Sequence, residues 1–76
     1  MSDNKTKRII AYLQEHGSIT PMDALQKFHV FRLASIIYNL REHYLYPIET
    51  VMEEGKDAEG NTVTYARYFL RGMTNG

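Results

Sequence analysis

Apolar residues recur at helical spacing along the first half of the chain and alternate with polar residues along much of the second half. The first periodic segment places Ile9, Ile10 and Leu13 on one face at 100° per residue. We predict a helix that begins near Asn4 or Lys5, with Asp3 or Asn4 as N-cap, and ends at His16. Gly17 then supplies the left-handed residue that terminates it.

A second helix is predicted after a short extended link at Ser18 and Ile19. Thr20 has the side chain of an N-cap, and Pro21 stands at the first helical position, where a missing N–H costs nothing. Asp23 completes a shortened capping box. The helix is expected to end at Phe28 or His29, with a core stripe that consists of Ala24, Leu25 and Phe28.

The third predicted helix follows a three-residue turn, His29 to Phe31, and runs from about Phe31 to His43. Its core face consists of Leu33, Ile36, Ile37, Leu40 and Tyr44. Two short helices joined by so short a turn predict a helix-turn-helix. The second of them is then the candidate recognition helix.

The last third of the chain predicts a β-hairpin, because Pro47 stops any helix and an alternating segment follows at residues 48–54. Its partner, Thr62 to Leu70, is rich in β-branched and aromatic residues. Residues 55–61 have turn chemistry, with Gly55, Gly60 and Asn61 able to take positive φ. On the partner strand Ala66, Tyr68 and Leu70 are expected to face the helices, and Arg67 and Phe69 to face outward.

The predicted fold class is therefore α+β, with three helices plus a C-terminal hairpin in the order α-β-α-α-β-β, which is a winged helix-turn-helix. A chain of 76 residues allows one small core. We expect a single domain over residues 1–71 and a flexible tail at 72–76. The absence of cysteines excludes disulfides, and no apolar run reaches the roughly 20 residues of a membrane helix, so we expect a soluble cytoplasmic protein.

The charges are unevenly distributed, although nine basic and nine acidic residues cancel over the whole chain. Residues 1–48 contain six basic and four acidic residues, whereas residues 49–76 contain three basic and five acidic ones. Any contact with nucleic acid must therefore rest on local positive charge in the helical part.

Double-stranded DNA is the predicted partner. On the third helix, Arg32 and Asn39 have the side chains that pair with guanine and adenine edges, and Ser35 can contact a base or a phosphate. The full set of predicted DNA-binding residues is Lys27, Arg32, Ser35, Asn39, Lys5, Arg8 and Lys56. A single module this small covers little DNA, so we also expect a homodimer or another DNA-bound partner, with tyrosines and the outward Phe69 as candidate interface residues.

Glu53, Glu54, Asp57 and Glu59 surround the lone Lys56 near the tip of the hairpin. Carboxylates repel a phosphate backbone. The hairpin is therefore either a solubilising loop or a surface that docks a basic protein partner or imitates the charge of DNA. The second alternative makes the chain a protein-interaction module, such as an inhibitor of a host nucleic-acid enzyme.

Two segments, FRLASIIYNLR and YPIET, together with the start of the second helix at ITP, resemble a helix-turn-helix family common in phages and other mobile elements. The resemblance covers about residues 7–50 and implies a small winged-helix DNA-binding protein that regulates transcription or excision, with Arg32, Ser35 and Asn39 in the recognition helix. In that family a basic residue commonly occupies the position of Ile36. A glycine commonly occupies the position of His29, and another usually precedes the YPIET-like segment.

No catalytic or metal-binding constellation is present in the sequence. The three histidines lie in separate segments, without thiols or the i, i+4 pairing of a zinc helix. The glycines do not form a phosphate-binding loop. We therefore predict a protein that is not an enzyme and needs no cofactor or metal.

Overall fold

The computed structural model describes residues 2–72, with side chains from residue 5. This part of the chain contains three helices and three strands. The elements are α1 (Ser2–His16), β1 (Ser18–Ile19), α2 (Pro21–Phe28), α3 (Leu33–Glu42), β2 (Ile48–Lys56) and β3 (Thr62–Leu70). This confirms the predicted order α-β-α-α-β-β. The predicted tail lies outside the described residues, apart from residue 72.

The ends of α1 differ in how well the sequence predicts them. The helix begins at Ser2, two or three residues earlier than expected, because the first N–H groups of a helix have no intrahelical partner and constrain its start weakly. The predicted N-cap was therefore wrong, since Asp3 and Asn4 lie inside α1; their side chains are not among those that the structure describes. At the other end Gly17 has a φ of +87°, as predicted.

Capping chemistry determines α2. The Thr20 hydroxyl accepts a hydrogen bond from the Asp23 N–H at 3.1 Å, and the Asp23 carboxylate accepts one from the Thr20 N–H at 3.1 Å. Pro21 is the first helical residue, and the helix ends at Phe28. These features confirm the predicted capping box and boundaries.

The turn between α2 and α3 is longer than predicted, since α3 begins at Leu33 and not at Phe31. Val30 is buried, and its N–H donates to the carbonyl of Ala24 at 3.1 Å. Because the turn must place the Val30 side chain in the core, α3 begins only after it, at Leu33. Arg32 takes the N-cap position but makes no side-chain capping bond.

A single core fills the space between the three helices and the inner face of the sheet. Its buried residues are Ile9, Leu13, Ile19, Ala24, Val30, Leu33, Ile37, Leu40, Ile48 and Tyr68. Ile10, Phe28 and Ile36 are only partly buried, and the prediction was wrong for two further residues. Leu25 is exposed because the buried side of the two-turn α2 is narrow and centred on Ala24, and Tyr44 is exposed because α3 ends at Glu42, so helical spacing no longer orients it.

The sheet is antiparallel in the order β1-β3-β2. The β2–β3 register runs without a bulge from Ile48 opposite Leu70 to Lys56 opposite Thr62. Tyr68 is buried, and Ala66 and Leu70 pack against the core, which confirms the predicted inward face.

The loop of the hairpin is shorter than predicted. Gly55 and Lys56 belong to β2 and do not form part of the turn. The Asp57 carboxylate accepts hydrogen bonds from the N–H groups of Glu59 and Asn61, both at 2.9 Å, and so organises the loop from one side chain. Gly60 has a φ of +86°, whereas Gly55 and Asn61 do not take the expected positive φ.

Within residues 2–72, two residues other than glycine adopt the left-handed conformation, His29 with a φ of 57° and Leu45 with a φ of 58°. Each follows a helix, and in each case the next N–H bonds to a carbonyl six residues earlier, Val30 to Ala24 and Tyr46 to Leu40 at 3.0 Å. At both positions the sequence resemblance described above implies a glycine. The turns are retained here with side chains that disfavour them.

Candidate nucleic-acid interface

One side of α3 is open to solvent because the other side fills the core. Leu33, Ile37 and Leu40 are buried, whereas Arg32, Ser35 and Asn39 are exposed. At 1.5 Å per residue, the distance from Arg32 to Asn39 along the helix is about 10 Å, or roughly three base-pair steps of DNA.

An open groove separates this side of α3 from the N-terminal end of α1. It is lined by Lys5, Thr6, Val30, Phe31, Arg32, Ser35, Ile36 and Asn39. The fold therefore brings four of the predicted DNA-binding residues together, namely Lys5, Arg32, Ser35 and Asn39. Lys5 also links α1 to the turn, since its ammonium lies 3.5 Å from the carbonyl oxygen of His29.

Positive charge continues from the groove along α1. Lys5, Arg8 and Tyr12 stand three and four residues apart, so they are neighbours on one helix face. The Lys27 ammonium of α2 lies 5.9 Å from the centre of the Tyr12 ring. Lys5, Arg8, Lys27 and Arg32, which we call the basic band, are all exposed, and none has a carboxylate within 4.0 Å among the side chains that the structure describes.

Lys56 is not part of this band. It lies on the hairpin, where its ammonium donates to the Thr62 hydroxyl at 2.8 Å. It borders a different groove, between the hairpin and the start of α2, with Pro21 and Met22 on the opposite wall. The structure does not bring this predicted site residue together with the others.

The hairpin neutralises its own arginines. Arg67 pairs with Glu53 at 2.9 Å and also donates to the Ser18 hydroxyl at 3.2 Å, which ties all three strands together. Arg71 pairs with Glu49 at 2.8 Å. Both guanidinium groups are therefore paired with carboxylates of β2. The other carboxylates of the hairpin, Glu54, Asp57 and Glu59, outnumber Lys56 and give the hairpin a negative charge.

Hydrogen bonds shift the pKa of one carboxyl and one arginine of the hairpin. The N–H of Asn61 holds the pKa of Asp57 below its usual value, because it stabilises the ionised carboxylate. The carboxylate of Glu53 raises the pKa of Arg67. The basic band on the helices and the negative hairpin therefore have opposite sign.

The six tyrosines, which are candidate interface residues, differ widely in exposure. Tyr38 and Tyr44 are exposed, Tyr68 is buried, and Tyr12, Tyr46 and Tyr65 are half-buried, as is Phe69. Tyr12 packs against the Phe28 ring edge-to-face at 5.8 Å.

Within residues 5–72 no group of three or more His, Asp or Glu side chains is placed to hold a metal ion. No helix of the described part of the chain is both long and apolar enough to cross a membrane.

The groove contains two apolar residues, Phe31 and Ile36, that the residue pattern does not predict there. Helical spacing predicts that Ile36 lies in the core and that Phe31 begins α3. One sequence signal could have identified Phe31 as a groove residue. It is a large aromatic residue directly before Arg32, and the predicted core face of α3 does not include it.

A family model described as a winged helix-turn-helix domain matches residues 4–72 of the chain. This match covers all six elements apart from the first two residues of α1. No curated protein matches the chain.

Proposed function

The chain belongs to the winged helix-turn-helix domain family, and from this premise we propose that it binds double-stranded DNA with α3 in the major groove. Such domains are typically non-enzymatic DNA-binding modules. The observation that carries the proposal is the continuity of the basic band with the polar side of α3, where Lys5 and Arg32 line the same groove as Ser35 and Asn39.

The contacts have different roles in this proposal. Arg32 and Asn39 read base edges, since their side chains match guanine and adenine in the major groove. Lys5, Arg8 and Lys27 neutralise phosphates, which gives affinity but no sequence information. The N-terminal end of α3 lies deepest in the groove, and Asn39, two turns further along, still reaches a base edge. Glu42 at the other end of the helix lies outside the groove, because the phosphate backbone would repel its carboxylate.

The negative hairpin stays away from the phosphates. Its arginines are held by Glu49 and Glu53, so DNA contact through the hairpin would first require breaking these pairs. One module of this size covers only about 600 to 1,000 Å² of interface. Specific binding therefore needs a second copy of the chain or another DNA-bound protein. We propose that the chain regulates transcription or excision in a phage or mobile element, in line with its sequence resemblance.

Gel-shift titration at low salt tests the base-reading role. Duplexes recovered from a random pool by binding to the chain serve as probes, and Arg32→Ala and Asn39→Ala are each expected to weaken binding about 5- to 150-fold, as lost bidentate base contacts of about 1–3 kcal/mol do. Tyr38→Ala is the matched control on α3, since Tyr38 is exposed but lies outside the groove. Unchanged affinity of both variants would refute the placement of α3.

The charge of the hairpin favours a second candidate, a protein-interaction module that docks a basic protein surface. Glu54 and Glu59 are exposed and belong to no ion pair among the described side chains. Reversing both to lysine should abolish capture of such a partner while leaving the capture of DNA intact. Partner capture that survives the reversal removes this role from the hairpin.

A further inference from the structure

Phe31 is the most exposed large hydrophobic side chain of the described residues, with 81% of its surface accessible. It lies in the turn directly before Arg32, at the end of α3 that the proposed function places nearest the bases. Its neighbours Val30 and Leu33 supply the buried side chains of this turn. The Phe31 ring therefore contributes little to the hydrophobic core.

The ring lines the groove between α1 and α3 together with Ile36. Lys5 and Arg32 border the same groove, so its apolar part is flanked by positive charge. An apolar ligand flanked by negative charge fits this arrangement. In the major groove of DNA, the only apolar group on a base-pair edge is the 5-methyl group of thymine, and phosphates lie on either side of it.

We propose that Phe31 contacts the 5-methyl group of a thymine and thereby selects an A·T pair beside the bases read by Arg32 and Asn39. This inference rests on the proposed DNA binding and adds a specificity-determining residue to it. The ring and the methyl group remove each other from water, which is favourable by about 0.8 kcal/mol for one buried methyl-sized group, or roughly fourfold in affinity.

Twin duplexes test the proposal. One is a thymine-containing duplex recovered from a random pool by binding to the chain, and the other has the same sequence with every thymine replaced by uracil, which lacks only the methyl group. The wild-type chain should bind the thymine duplex about fourfold more tightly. Phe31→Ala should lose this preference and bind both duplexes with the affinity that the wild type shows for uracil.

Arg32→Ala is the matched control, because it should weaken both duplexes by the same factor and retain the preference for thymine. Circular dichroism of each variant checks that it is folded. Equal wild-type affinities for the twins, or a preference that survives in Phe31→Ala, overturns the thymine contact and leaves DNA binding standing. If the ring packs instead on sugars, Phe31→Ala weakens both twins equally. If it packs on another protein, Phe31→Ala changes neither affinity, and either result also overturns the thymine contact. Failure of the wild type to bind any duplex overturns the proposed function itself.

Discussion

Replacement of Leu45 with glycine is expected to raise the stability of the protein, although glycine usually lowers it. Leu45 has a φ of 58° and 79% of its surface is exposed, so its side chain contributes little burial while its Cβ opposes the backbone conformation. A left-handed residue that carries a Cβ costs about 1–2 kcal/mol. Glycine adds unfolded-state freedom that costs roughly 0.5–1 kcal/mol.

The midpoints of these two ranges differ by about 0.75 kcal/mol, a net stabilisation in the free energy of unfolding that for a domain of this size raises Tm by roughly 3–6 °C. Thermal and urea denaturation followed by circular dichroism measure it. The urea midpoint should rise without a change in m, because the native surface is almost unchanged.

Leu45→Ala is the matched control, since alanine keeps the Cβ and therefore the strain. It should be no more stable than the wild type. An alanine variant as stable as the glycine variant would show that the gain comes from removing an exposed leucine. A glycine variant less stable than the wild type would refute the strain argument altogether.

Three further predictions concern the turns and caps. His29→Gly should also stabilise the protein, but by less than Leu45→Gly, because histidine tolerates the left-handed region better than leucine; an equal or larger gain in the urea midpoint would contradict this ranking. Thr20→Ala should lower the free energy of unfolding by about 1 kcal/mol and Thr20→Ser by much less, since serine keeps the capping hydroxyl, so equal losses would exclude capping as the cause. The carboxyl of Asp57 should titrate below 3.8 in NMR spectra, because the N–H of Asn61 lowers its pKa. Its contribution to stability is present above the unfolded pKa and is lost as the pH falls through the folded pKa; a midpoint at or above 3.8 would contradict the loop hydrogen bonds.

Local chemistry made parts of the fold predictable. The start of α2 follows from Thr20, Pro21 and Asp23, whose capping bonds join residues three apart. The strand faces follow from the period of two, so the inward position of Tyr68 was predictable. The start of α3 was not, because burial of Val30 in the tertiary core delays the helix, and no capping residue marks the boundary.

The candidate site was predictable in its residue types and less so in their arrangement. The exposed side of α3 follows from the helical period, as Arg32 and Asn39 show. The pairing of Arg67 with Glu53 depends on the strand register, and the position of Lys27 over Tyr12 depends on how α2 packs on α1. Contacts between segments far apart in the chain determine which charged side chains are paired. These contacts cannot be predicted from the spacing of residues along the chain.

The central claim, that the basic band binds the phosphate backbone, is tested most directly by the salt dependence of binding to a random duplex. Lys5, Arg8 and Lys27 neutralise three phosphates, which gives a slope of log K against log salt concentration of roughly −2.7, or about a fortyfold loss of affinity between 50 and 200 mM salt. Lys5→Gln should reduce the slope by about 0.9. Lys7→Gln, the matched control on the same helix outside the band, should leave it unchanged. A wild-type slope near zero, or equal effects of the two variants, would contradict the account.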